Sequence, residues 1–359
     1  MLPDKKERFR LSYPRCLAYC ALNSAFPFFW PPINRIKHRL LSPIAIKYIQ
    51  VSLAYECQCS CSHCGVSQYN KANNKLAPKE IFSLIDSLVR WGFGQIDFFG
   101  GEPLLDKNIY AYVKRASKNG IFTHLFTNGL LLSRENVHKL SVNGLSAISI
   151  SFDSPDPALH DRNRNIPGIF EKALKGAEYC IQNKIKTIMS VHASESDILS
   201  GRTEQLVRLA KQKHFQSIRI LSPFKTGRFF SLDTPVYSKK AMQRLLDIAA
   251  DKEFVKLHGI LNCYIPHKTV AYISPYGEVQ PCSMVPLKFG SIREESFSSI
   301  LARMRKHSVC NIEEPGCIMN TAYFKDNFFG KINIKEQSFP IPVEQLVFPP
   351  ETGFPRQKG

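Results

Sequence analysis

The residues best suited to chemistry are concentrated in one short stretch, Cys57-Gln-Cys-Ser-Cys61-Ser-His-Cys64. Thiolates at Cys57, Cys61 and Cys64, separated by three and two residues, can take three corners of an iron–sulfur cube, because thiolates are the ligands such clusters select. The loop offers no fourth ligand at useful spacing, so one iron stays open to another molecule. An open coordination position marks a reactive site rather than a structural one, a rule best established for zinc. The competing assignment is a zinc knuckle or buried thiols. Zinc would want four protein ligands, and His63 is badly placed for simple chelation between Cys61 and Cys64. Cys59 improves neither cage and reads as a neighbouring or incidental thiol.

A second group follows. Thirteen residues separate Cys263 from Gly277, and four separate Gly277 from Cys282. Gly277 falls at the turn of a hairpin pattern over 272–280, which draws the two cysteines together at its base. Cys310 and Cys317 come next. This set suits a second iron–sulfur cluster or a zinc site with four cysteine ligands. Cys16, Cys20 and Cys180 lack partners at metal spacing and read as core or incidental thiols.

The elements that must position these residues alternate from about residue 46 to 230. Short β-branched runs at 48–55, 95–99, 123–127, 147–152, 187–191 and 217–221 are separated by amphipathic helical stretches near 78–91, 107–119, 133–142, 168–183 and 200–213. Pro78 suits the first turn of the first helix. Strand–helix alternation predicts a parallel sheet with right-handed crossovers. Several strands are nearly continuous apolar runs, as a covered sheet requires. Six units fall two short of a full eight-unit barrel, so the fold class is α/β, a partial (β/α)6 barrel. A helix near 238–252, the hairpin and a helix near 296–306 then make a small C-terminal α+β domain, 231–320. Residues 1–45 form a basic and aromatic arm, and 321–359 a Pro-rich tail, extended on the surface or partly disordered.

Composition bounds the setting. The chain has 359 residues, 44% of them apolar, and a formal charge of +18, which suits acidic partners or simply a basic soluble surface. Nothing points to DNA. The eleven cysteines are an odd number in a large chain, no signal peptide is visible after Met1, and a cytoplasmic metal-binding protein is the expectation. The apolar stretch 17–30 is too short and interrupted to span a bilayer. Aromatic and basic residues interleave over 26–38, as an interfacial segment would, so peripheral association with a membrane surface stays open beside an arm packed on the barrel.

The motif C-x3-C-x2-C directly after the first strand of a βα repeat resembles the radical S-adenosylmethionine (SAM) superfamily. Other pieces fall in the order of that family: Gly100-Gly101-Glu102-Pro103 after strand two, Thr127-Asn128-Gly129 after strand three, Ser149-Ile-Ser151-Phe-Asp153 on strand four, and Pro223 with Gly227-Arg228 after strand six. The second set, C-x13-G-x4-C, is similar to the auxiliary-cluster domain of such enzymes, in the shortened form often called Twitch rather than the full SPASM ligand run. The resemblance implies a 4Fe–4S cluster on Cys57, Cys61 and Cys64, whose open iron chelates SAM. It also implies a second, auxiliary 4Fe–4S cluster on Cys263, Cys282, Cys310 and Cys317. Gly100, Gly101, Glu102, Pro103, Thr127, Asn128, Ser151, Asp153 and Arg164 would contact SAM. The two glycines would admit its amino group, Ser151 and Asp153 its ribose, and Arg164 its carboxylate.

The activity so implied is reductive cleavage of SAM to a 5′-deoxyadenosyl radical that abstracts a substrate hydrogen. An auxiliary cluster suits oxidative modification, dehydrogenation or carbon–sulfur or carbon–carbon bond formation, of a peptide or small molecule. Epimerisation of a peptide or alkylation of a lipid is the non-oxidative alternative, and a non-catalytic iron–sulfur binding module is the remote one. An electron donor such as flavodoxin or ferredoxin would be the protein partner.

Overall fold

Amphipathic helices between short apolar strands leave a parallel sheet flanked by helices as the natural way to bury both. The computed structural model describes residues 48–69, 74–230, 237–261, 263–267, 269–312, 316–333 and 337–346. The arm, Cys16, Cys20 and the segment 26–38 lie outside these residues, as does the chain after 346. The strands are β1 (Tyr48–Ser52), β2 (Gln95–Phe99), β3 (Phe122–Thr127), β4 (Ala147–Phe152), β5 (Lys186–His192), β6 (Ser217–Leu221), β7 (Val255–His258), β8 (Val270–Ile273) and β9 (Val279–Gln280). They form one sheet in the order β7-β6-β5-β4-β3-β2-β1-β8-β9. Its open edges make it a partial barrel.

Seven strands, β1 to β7, run parallel in sequence, one more than the six expected. The extra strand, Val-Lys-Leu-His, alternates apolar and polar residues but over only four positions, too short a run to stand out. It is fixed by its neighbour, with Ile220 opposite Leu257. On the other side β8 pairs parallel with β1, Ile49 opposite Ala271. The predicted hairpin is present: β8 and β9 are antiparallel and Gly277 turns at φ 88. Its position settles how the second cysteine set reaches the barrel, because the hairpin extends the barrel's own sheet.

The helices are α1 (Pro78–Arg90), α2 (Ile109–Lys118), α3 (Arg134–Val142), α4 (Pro157–Arg164), α5 (Ile169–Gln182), α6 (Glu195–Leu199), α7 (Arg202–Gln212), α8 (Lys239–Ile248), α9 (Phe297–Lys306) and α10 (Ala322–Asn327). α1 shows the general logic. Pro78 opens it, Glu80 accepts a hydrogen bond from the Ala77 N–H at 2.7 Å, and Ile81, Leu84, Ile85 and Leu88 form the buried stripe. The Glu80 carboxylate also takes a forked pair from Arg293 at 2.7 and 2.8 Å, tying the C-terminal segment to the first core helix. Short strands β10 (Leu287–Lys288) and β11 (Ile341–Pro342) pair parallel and bring Phe339, Ile341 and Val343 into the core.

Alternation along the strands divides their residues. Ile49, Val51, Ile96, Phe98, Ile148, Ile150 and Ile220 are fully buried. The intervening Tyr48, Gln50, Ser151, Ser190, His192, Arg219 and His258 instead line a cavity of about 270 Å³. The concave face therefore carries polar side chains among apolar ones such as Phe99, Phe126 and Leu221, which departs from the expectation of a sheet with both faces covered. A small barrel filled with apolar side chains has no room for a ligand; this one keeps an open interior. No helix of the described residues is long and apolar enough to cross a membrane.

Candidate functional site

Beyond β1 the chain leads through Ala54 and Glu56 into the cysteine loop, and the segment after β2 holds that stem. Gly101 N–H donates to Ala54 O at 2.8 Å and Glu102 N–H to Glu56 O at 2.9 Å. A Cβ on Gly100, which sits at φ +127, would overlap the Ala54 carbonyl oxygen, and one on Gly101 the Glu56 carbonyl oxygen. Both glycines line the cavity, but their bare Cα atoms are needed first by the chain's own backbone. Gly101→Ala should therefore cost about 2–4 kcal/mol in denaturant unfolding. Gly330→Ala, where the nearest neighbour of a Cβ stands at 3.5 Å, is the control and should stay within about 0.5 kcal/mol.

Glu102 is buried and does not itself line the cavity. It accepts from Leu104 N–H (3.1 Å), Thr127 Oγ1 (2.8 Å) and Asn128 N–H (2.8 Å). Burial pushes its carboxyl up to about 7 against these donors. Its role here is to lock the ends of β2 and β3 together; Pro103, also buried, starts the turn that follows. Thr127 and Asn128 line the cavity. The Thr127 hydroxyl is engaged with Glu102, whereas Asn128 Nδ2 reaches Cys57 Sγ at 3.5 Å and Gln58 Oε1 at 3.2 Å.

Asp153 and Arg164 were expected to serve the ribose and the carboxylate of SAM. The structure gives each the other as partner: Arg164 Nε and Nη2 donate to the two Asp153 oxygens at 2.9 and 2.8 Å, both side chains being buried. Burial opposes ionisation of Asp153, yet Arg164 and then His63 hold its carboxyl well below the usual carboxylate range. Removing one member of such a pair strands a buried charge, so Asp153→Ala should destabilise the protein by about 3–5 kcal/mol in denaturant unfolding. His63 lies 3.6 Å from Asp153 and stacks on His192 with ring centroids 4.6 Å apart. Ser151 lines the cavity beside them.

The thiols of the loop are electrostatically unequal. A hydrogen bond from Cys59 lowers Cys57 to about 6 despite burial, with Asn128 and Arg164 contributing. The same thiol, then Arg164, lowers Cys61. Cys59 is correspondingly raised by its bonds to both, and burial raises Cys64. Arg228 clamps the loop from outside. Its Nη1 donates to the Ser60 and Cys61 carbonyls at 2.8 and 2.7 Å, and its Nη2 to Ser60 Oγ at 2.7 Å. Gly227, at φ +56, packs so close that a Cβ would overlap the Cys64 carbonyl oxygen. The Gly227-Arg228 pair, noticed in the sequence only as a strand ending, thus acquires a physical task.

The second set converges on the same cavity. Cys263, Cys282 and Cys317 line it together with Cys57, Cys61 and Cys64. Burial, then the neighbouring Cys263, pushes the Cys282 thiol up to about 12, and burial also raises Cys263 and Cys317. Cys310 is not among those lining residues; it is buried and lines a small adjoining cavity that shares Ile265 and Val270 with the large one. Spacing alone had no means of separating it from Cys317. Among the described residues no group of three His, Cys, Asp or Glu side chains is gathered tightly enough for a single metal ion. Thiolates that bind different irons of one cube need no such convergence.

The donor sets fit the implied groups. Soft thiols of both sets line one cavity, cations flank the first set, and Nε2 of His192 is buried there without a partner. Sequence reasoning missed His192, His258 and Arg219. Their signal was available, because a polar residue at the inward position of an apolar strand, as in Ser-Ile-Arg219-Ile-Leu, marks a lined interior.

Comparison with known proteins agrees with this geometry. Residues 51–211 match the radical SAM superfamily model, and residues 263–322 match the SPASM model of an iron–sulfur cluster-binding domain. The AdoMet-dependent heme synthase of Oleidesulfovibrio alaskensis is 23% identical over 291 residues, 71% of this chain and 74% of that protein. The PqqA peptide cyclase of Rhodopseudomonas palustris is 30% identical over 132 residues, 36% of this chain and 35% of that protein. The solved structure of Streptococcus suis SuiB bound to SAM superimposes with a TM-score of 0.61 at 14% identity, covering 76% of this chain and 70% of that one. With its partial barrel, its cysteine loop and its sheet-extending hairpin, the chain belongs to the radical SAM superfamily and carries a SPASM-type iron–sulfur domain, with SAM and 4Fe–4S clusters, one of them auxiliary, as its cofactors.

Proposed function

We propose that this enzyme carries out an oxidative radical modification of a small molecule, with Cys57, Cys61 and Cys64 holding the SAM-binding cluster and Cys263, Cys282 and Cys317 holding the auxiliary one. The observation that carries this reading is the single cavity lined by both cysteine sets. A cluster held by Cys57, Cys61 and Cys64 with SAM beside it would supply radical abstraction of a substrate hydrogen, and a cluster held by Cys263, Cys282 and Cys317 would supply an acceptor for the substrate's electron.

The chain's own residues bind and orient. Asn128, Arg164 and the Cys59 thiol favour thiolate at Cys57, while Arg228 and Gly227 fix the loop carbonyls. Gly100, Gly101, Thr127 and Ser151 offer the surface on which SAM rests, and Glu102, Pro103, Asp153 and Arg164 hold that surface in place. The long alignment with a heme synthase, against the short one with a peptide cyclase, supports a small molecule over a peptide.

Anaerobically reconstituted protein, reduced and given SAM with candidate substrates, should yield a product that has lost hydrogen, seen by mass spectrometry. A product that gains an adenosyl or alkyl group would overturn the oxidative reading. Because Cys317 lines the large cavity and Cys310 does not, Cys310→Ala should keep about eight irons per chain and Cys317→Ala should not, a difference that elemental analysis reads directly.

A further inference from the structure

Arg219 sits at the middle of β6, on the concave face. Its Nε is buried without an acceptor, and no carboxylate of the described residues stands within ion-pair distance. The acid that bears on it electrostatically, Asp97, is already engaged by Gln95 Nε2 at 2.7 Å and faces His124 Nδ1 at 3.6 Å. The guanidinium instead lies over the Phe126 ring, 5.3 Å from its centroid. A cation held inside a barrel without a counter-ion is costly unless a ligand supplies one.

The surroundings describe that ligand. Tyr48, Tyr264 and His258 line the same part of the cavity; the His258 and Tyr264 rings are 5.3 Å apart and those of Tyr48 and Tyr264 6.4 Å apart. Burial and the nearby Arg219 keep His258 neutral. One forked cation with hydroxyl and imidazole neighbours matches a monoanionic carboxylate, whereas a phosphate dianion would call for more positive charge. We propose that Arg219, with Tyr48, Tyr264 and His258, forms a carboxylate-binding subsite that anchors an acid group of the substrate inside the barrel, in the cavity that both cysteine sets line.

This subsite deepens the proposed function and rests on it for the identity of the cavity. SAM carries a carboxylate as well, so the test must separate the two sources. Full-length protein with both clusters reconstituted is compared as wild type, Arg219→Met and Arg219→Lys, with propionate and its neutral isostere propionamide as probes at matched ionic strength.

Without ligand, Arg219→Met should melt at a higher temperature than wild type, because an uncompensated charge has been replaced by an apolar side chain of similar reach. Propionate should raise the wild-type melting temperature more than propionamide does. That difference should vanish in Arg219→Met and persist in part in Arg219→Lys. SAM binding, measured by equilibrium dialysis, should be unchanged in Arg219→Met.

A lower melting temperature for Arg219→Met together with no propionate-specific shift in wild type overturns the subsite. Loss of SAM binding in Arg219→Met would reassign the anchor to SAM and refute the substrate assignment. Failure of wild type to cleave SAM at all would instead count against the proposed function, leaving the propionate result to be judged on its own.

Discussion

With the Cys57, Cys61 and Cys64 thiols all replaced by alanine, the reduced protein should form no 5′-deoxyadenosine from SAM, where wild type forms it readily. The expectation follows from the division of labour in the cavity. The loop supplies every soft donor on its side, and its remaining thiol, Cys59, serves by hydrogen-bonding its neighbours. The variant should still fold, because the β1–β8 and β1–β2 pairing that anchors the loop uses backbone groups outside it. Near-normal circular dichroism is therefore the control. Residual cleavage by a folded triple variant would refute the assignment of the first cluster.

The second large effect is an uncoupling. Cys282→Ala removes a donor from the second set and leaves the first untouched, so SAM cleavage should continue while product formation falls sharply, leaving 5′-deoxyadenosine in excess over product. Clusters can also be structural, and the Cys282 thiol lies beside the base of the hairpin that extends the barrel's sheet, with Met284 N–H at 3.4 Å from its sulfur. Melting curves must accordingly accompany the assay. Product formed at the wild-type rate by a folded Cys282→Ala protein lacking its second cluster would sink the oxidative reading and favour hydrogen quenching or alkylation.

Much of this architecture was legible because its signals are local. Strands β2, β4 and β6 set apolar residues among polar ones between turn residues, and the sequence places them at the observed limits. Gly277 announced the hairpin for the same reason. What stayed hidden depends on residues far apart in the chain. The pairing of Asp153 with Arg164, the clamp of Arg228 on the loop carbonyls and the use of Gly100 and Gly101 against residues 54–56 are tertiary facts that no spacing encodes. β7 escaped because Val255-Lys-Leu-His258, though strictly alternating, is as short as such a signal can be. Cys310 and Cys317 look alike in sequence, and only the fold shows that Cys317 lines the large cavity while Cys310 does not.

The central claim, two iron–sulfur clusters facing one cavity, is tested most directly by metal content. Wild-type protein reconstituted without oxygen should contain about eight irons per chain, and the Cys57/Cys61/Cys64→Ala and Cys263/Cys282/Cys317→Ala variants about four each. About four irons in wild type, or stoichiometric zinc in place of the second set, would contradict it.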